Sequence, residues 1–107
     1  MIKVYSSREK EEIIGVVNYN TNLDYYDGRN LCNGGVGCHK GITKLKKGEY
    51  VLVLTYDWEN KDDYAYVVSD EEALMEIISS NNYELLEQGR FKRLKELYES
   101  KLLIEEE

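Results

Sequence analysis

Three apolar runs, residues 42–45, 50–58 and 64–68, are rich in β-branched and aromatic side chains and are separated by Lys46-Lys47-Gly48-Glu49 and Glu59-Asn60-Lys61-Asp62. Runs of that length and composition suit strands, and the Gly, Asn and Asp between them let the backbone reverse. The spacing therefore predicts an antiparallel meander onto which the remaining chain docks. Upstream, residues 2–5 alternate apolar with polar side chains and predict a first strand. Ile13, Ile14, Val16 and Val17 predict a second, with Gly15 marking a bulge or close packing. Residues 6–12 have almost no apolar face and predict a loop or one short helical turn.

After residue 68 the apolar period changes from two to nearly four. Ser69-Asp70-Glu71-Glu72 is a capping box, in which Ser69 accepts from the Glu72 amide and the Glu72 side chain reaches back to the Ser69 amide. It predicts a helix to about Ser79 with Ala73, Leu74, Ile77 and Ile78 on one face. A helical pattern restarts at Asn81-Asn82-Tyr83-Glu84, Gly89 marks a break, and Phe91, Leu94, Leu97 and Tyr98 predict the apolar stripe of a final helix. Residues 102–107 read as a frayed end or a short strand. The fold class predicted is α+β: an antiparallel sheet of four or five strands, with two or three helices, mostly C-terminal, packed on one face. A chain of 107 residues supports one modest core, so a single domain over 1–107 is expected.

The net charge of −7 is unevenly spread. Residues 1–56 carry 8 basic and 6 acidic side chains, about +2, and residues 57–107 carry 6 and 15, about −9. Affinity for a phosphate backbone comes from Lys and Arg that displace counterions, so an acidic body argues against direct nucleic-acid binding and for a protein partner with a basic surface. The candidate partner-binding residues are Asp57, Trp58, Glu59, Asp62 and Asp63 at the second turn of the meander, Asp70 and Glu71 on the following helix, and Tyr25 and Tyr26. A Trp ringed by carboxylates suits an interface anchor with a polar rim, and it equally suits a core residue folded inward. No segment has the layout of a signal peptide or is apolar for long enough to span a bilayer, so a cytoplasmic protein with reduced thiols is expected, and no membrane partner.

Residues 18–41 read as a long loop, which in a small domain is usually functional. Cys32, Cys38 and His39 invite a zinc reading, but the cysteine spacing is wide, a fourth ligand is missing, and adjacent Cys38 and His39 point apart in an extended chain; no metal and no cofactor are expected. A Cys-His nucleophile has no recognisable context, so no catalytic residue is expected and His39 serves the backbone instead. Asp24 and Asp27 lack the alternate spacing of a calcium loop. Gly34, Gly35, Gly37 and Gly41 with Lys40 match neither phosphate-binding fingerprint. The alternative to a partner-binding protein is a binder or enzyme for a small anion or nucleotide, in which Gly37, His39, Lys40 and Gly41 meet the ligand. A third reading is nucleic-acid contact through Lys40, Lys44, Lys46 and Lys47, which requires a steep salt dependence.

The run Gly37-Cys38-His39-Lys40-Gly41-Ile42-Thr43-Lys44-Leu45, with Gly48 to Val53, Trp58, Ser69-Asp70-Glu71-Glu72-Ala73, Asn18-Tyr19-Asn20, Leu23-Asp24 and Asp27-Gly28, resembles a group of short proteins encoded in phages and mobile elements of Gram-positive bacteria. The likeness covers most of the chain. In that group aromatic residues stand where Tyr26 and Trp58 are, and the cysteines are not a signature. The resemblance implies a genomic setting rather than a mechanism. Small acidic proteins of such elements often act as stoichiometric inhibitors of host defence or as DNA mimics, so the expectation that goes with this setting is an anti-CRISPR-like or other anti-defence inhibitor in the bacterial cytoplasm.

Overall fold

The computed structural model describes residues 1–24, 37–57 and 62–102. Its sheet has five strands, β1 (Ile2–Tyr5), β2 (Ile13–Val17), β3 (Cys38–Lys44), β4 (Tyr50–Tyr56) and β5 (Tyr64–Val68), in the order β2-β1-β5-β4-β3. The meander β3-β4-β5 is antiparallel throughout, and its first turn needs Gly48, which sits at φ 109° while its amide donates to the Leu45 carbonyl at 2.8 Å. The hairpin β1-β2 joins that meander through a parallel pairing of β1 with β5, so the sheet is mixed rather than wholly antiparallel. The α+β class holds, with α1 (Asp70–Ser79) and α2 (Lys92–Leu102) in the C-terminal half.

Two short 3-10 turns, Tyr83–Glu87 and Gly89–Phe91, link the helices. Phe91 belongs to the second turn rather than to the final helix, and it is wholly buried. Ser69 caps α1 as expected, its hydroxyl accepting from the Glu72 amide at 3.1 Å. The return half of the capping box is not made, because the Glu72 carboxylate pairs with Arg8 at 3.3 Å.

The register sorts the sheet into two faces. Tyr5, Tyr66, Leu52 and Ile42 lie in one cross-strand row, and with Tyr50, Leu54 and Val68 they form the core against Ala73, Leu74, Ile77, Leu85, Leu86, Phe91 and Leu94 of the helical layer. On the opposite face the row Gly15, Val4, Ala65, Val53, Gly41 is built of small side chains. Val4, Val51, Val53 and Ala65 are nevertheless wholly buried there and cluster with Ile2. That burial comes partly from the chain itself, because the segment after β2 passes over Gly41: a Cβ at Gly41 would lie 2.1 Å from the Asn20 carbonyl oxygen.

Candidate functional site

Residues 38–41 belong to a strand, and residues 20–24 are fastened to its outer edge by side chains that imitate a sixth strand. Asn22 accepts from the Ile42 amide at 2.7 Å and donates to the Ile42 carbonyl at 3.0 Å, and Asn20 donates to the same carbonyl at 2.9 Å. The Leu23 amide donates to the Lys40 carbonyl at 3.1 Å, and Asp24 accepts from the Lys40 amide at 2.9 Å. An amide side chain offers one donor and one acceptor like a peptide, so Asn-x-Asn-Leu-Asp satisfies an edge that would otherwise expose its backbone groups. The expectation of an irregular loop up to Gly41 is corrected on this point.

The clip also holds His39 between two carboxylates. Its Nδ1 lies 2.6 Å from Asp24 Oδ2, and its Nε2 lies 3.1 and 3.2 Å from the two oxygens of Asp57. The imidazole and Asp24 are mostly buried, with side chains 17% and 22% exposed, while Asp57 is 64% exposed. The Asp24 hydrogen bond raises the His39 pKa above its ordinary value, opposed by burial and assisted by Asp57. Because the folded pKa is the higher one, this interaction stabilises the fold fully below about pH 6.5 and is lost as pH rises through the raised value. Urea unfolding from about pH 6 to about pH 9 is expected to show stability falling in the wild type relative to His39→Gln, and parallel profiles would contradict that linkage.

His39 and Lys40 do not converge on one ligand. As strand neighbours they face opposite sides, and Lys40 Nζ crosses to Glu76 of α1 at 3.2 Å. Both cations already face carboxylates, so the anion site expected at Gly37, His39, Lys40 and Gly41 is not assembled by the described residues. Gly37 adopts a positive φ of 73° and accepts from the Asp57 amide, and Gly41 is covered by Asn20. Among the described residues no cluster of His, Cys, Asp or Glu could hold a metal. Asp24 and Asp57 bind divergent nitrogens of the ring, which stands between them. Cys38 is buried and free, and Cys32 lies outside the described residues.

The partner-binding candidates divide into two groups. Asp57, Asp62 and Asp63 are exposed at one end of the sheet, where Asp63 also accepts from the Tyr56 amide at 3.0 Å. Asp70 and Glu71 lie beyond the far end of β5, and five strand residues span roughly 16 Å. Asp70 is held in a fork by Arg93, at 2.7 and 2.9 Å, which keeps its carboxyl below the usual range. Glu71 is exposed in the first turn of α1. The two groups therefore lie at opposite ends of β5. Trp58, Glu59, Tyr25 and Tyr26 lie outside the described residues.

No protein-family model, curated protein or solved structure matches the chain.

The site thus stands on its own geometry. Asp24, the residue that orients His39, was absent from the expected site because it lies 15 positions away in sequence. No helix of the described residues is long and apolar enough to cross a membrane.

Proposed function

We propose that this chain is a non-catalytic binding domain whose acidic sheet end, Asp57, Asp62 and Asp63, docks on a basic surface of a protein partner. The observation that carries the reading is the uneven neutralisation of its carboxylates. Arg8 takes Glu72, Lys40 takes Glu76, Arg93 takes Asp70 and Lys95 takes Glu87. At the hairpin end the only cation in an ion pair among the described residues is His39, shared with Asp24. Asp62 and Asp63, which border a hollow shared with Lys3, are in no ion pair among the described residues, and with the exposed Asp57 they offer three carboxylates to a positive surface; such complementarity guides association and sets its specificity.

The resemblance to proteins of mobile elements favours a nucleic-acid-binding or defence complex of a bacterial host as that partner, with the domain acting as a stoichiometric, anti-CRISPR-like inhibitor in the cytoplasm. A catalytic use of His39 has less support, since both ring nitrogens already meet carboxylates and a general base needs one of them free.

Affinity capture from bacterial lysate tests this. The wild type is expected to retain a basic, nucleic-acid-binding protein in a salt-sensitive manner, and the triple variant Asp57→Asn, Asp62→Asn, Asp63→Asn is expected to bind it about 100-fold more weakly. Equal retention by wild type and variant would refute the assignment.

A further inference from the structure

At the end of β3 opposite the acidic hairpin lies a cavity of about 480 Å³ between the two edge strands, bordered by Val16 and Val17 on one side and by Thr43 to Lys46 on the other. Lys44, Lys46 and Arg90 line it, and among the described residues no carboxylate does. In a chain with 21 acidic and 14 basic side chains, that lining is an exception.

Arg90 sharpens the point. Of the three arginines among the described residues, Arg8 and Arg93 face Glu72 and Asp70. Arg90 is fixed instead by neutral oxygens, its Nε donating to Gln88 Oε1 at 3.0 Å and one terminal nitrogen to Thr43 Oγ1 at 3.2 Å. Two neutral acceptors orient a guanidinium without cancelling its charge, and they leave further N–H groups to donate. Lys46 is exposed and in no ion pair among the described residues, while Lys44 is near enough to Asp70 to help depress its carboxyl. Asn18 and Tyr19, the latter 61% exposed, add polar groups and a ring at the rim.

A concave site of one sign, with an oriented guanidinium, is suited to a multiply charged oxyanion that accepts several N–H donors at once. The volume lies within the range of small-ligand sites and exceeds what bare phosphate fills. We infer that this cavity between β2 and β3 binds a small phosphate-bearing anion, with Arg90 as the oriented donor and Lys46 and Lys44 as the balancing charges. The inference does not depend on the function proposed for the acidic end.

Calorimetric titration with inorganic pyrophosphate at low ionic strength tests the inference on the whole chain. Saturable one-to-one binding is expected, weakened at least about 10-fold by Arg90→Gln and by Lys46→Gln. Lys46 sits in an exposed turn, so its variant keeps the experiment decisive if removal of Arg90 disturbs packing around Phe91. His39→Gln and the triple Asp57, Asp62, Asp63 variant are expected to bind pyrophosphate as the wild type does. Absence of saturable binding, equal affinity in the Lys46 variant, or loss of binding in the triple variant would each overturn it. Failure of partner capture with pyrophosphate binding intact would sink only the proposal for the acidic end.

Discussion

Replacing Gly41 with alanine is expected to lower the free energy of unfolding by about 3 kcal/mol, the upper range for inserting a methyl group where nothing can give way. The new Cβ would stand 2.1 Å from the Asn20 carbonyl oxygen, 2.5 Å from its carbonyl carbon and 2.9 Å from its Cβ. Two of these are backbone atoms, so the clash cannot be relieved by swinging a side-chain tip. Segment 20–24 must lift from β3, and with it go the bonds of Asn20 and Asn22 to Ile42 and of Asp24 to Lys40. Asp24 would then leave the imidazole, and the titration of His39 should move down toward its ordinary value. Gly15 supplies the control, since a Cβ there meets nothing within 4 Å and Gly15→Ala should change stability by no more than about 0.5 kcal/mol. Urea unfolding combined with NMR titration of the single histidine reads both effects. Equal stability of the two variants would show that the clip does not hold the edge of β3.

Phe91→Ala is expected to cost about 4 kcal/mol, within the range for emptying a buried aromatic site. Phe91 is wholly buried and stacks on Tyr50 with ring centroids 6.0 Å apart and planes at 22°. Tyr50 also donates its hydroxyl to the Arg90 carbonyl at 3.4 Å, and Arg93 lies 4.6 Å above the Tyr50 ring. This contact joins the second 3-10 turn and the start of α2 to the first residue of β4, beside Leu94 in the same core, so its loss weakens the anchorage of the C-terminal layer. Small domains have about 5–15 kcal/mol in total, and the variant should unfold at much lower urea. Met75→Ala, at a residue 59% exposed on α1, should remain within about 0.5 kcal/mol of the wild type. A Phe91 variant as stable as that control would mean the helical layer is held elsewhere.

Local patterning made the fold readable and left the site obscure. The β-branched and aromatic runs at residues 50–56 and 64–68, the turn glycine at 48 and the cap at Ser69 each act over a few residues, so β4, β5 and α1 follow from the sequence nearly to their observed ends. β3 was read too short because Gly41 and Lys40 are weak strand formers. The edge there is held by bonds of Leu23 and Asp24 to Lys40 and of Asn20 and Asn22 to Ile42, and nothing in the neighbouring sequence announces those partners. The parallel pairing of β1 with β5 is likewise a choice between distant segments.

The charge asymmetry of the chain was legible as a count but not as a map. The lysines and arginines that pair with Glu72, Glu76, Asp70 and Glu87 lie 8 to 64 positions away, so which carboxylates of the negative C-terminal half are neutralised is decided by the fold and not by their order in the chain. Arg90 shows the converse. Its role at the cavity depends on Thr43, 47 residues earlier, and on the absence of a carboxylate, which only folding decides.

The most direct test of function at the acidic end is amide chemical-shift mapping while a lysine-rich peptide is added at low and then raised salt. The expected result is saturable shifts at Asp24, His39, Asp57, Asp62 and Asp63 that diminish as salt rises, with Asp70 to Glu72 unmoved. Shifts concentrated on α1 and α2, or spread evenly over every exposed carboxylate, would contradict a binding surface at that end of the sheet.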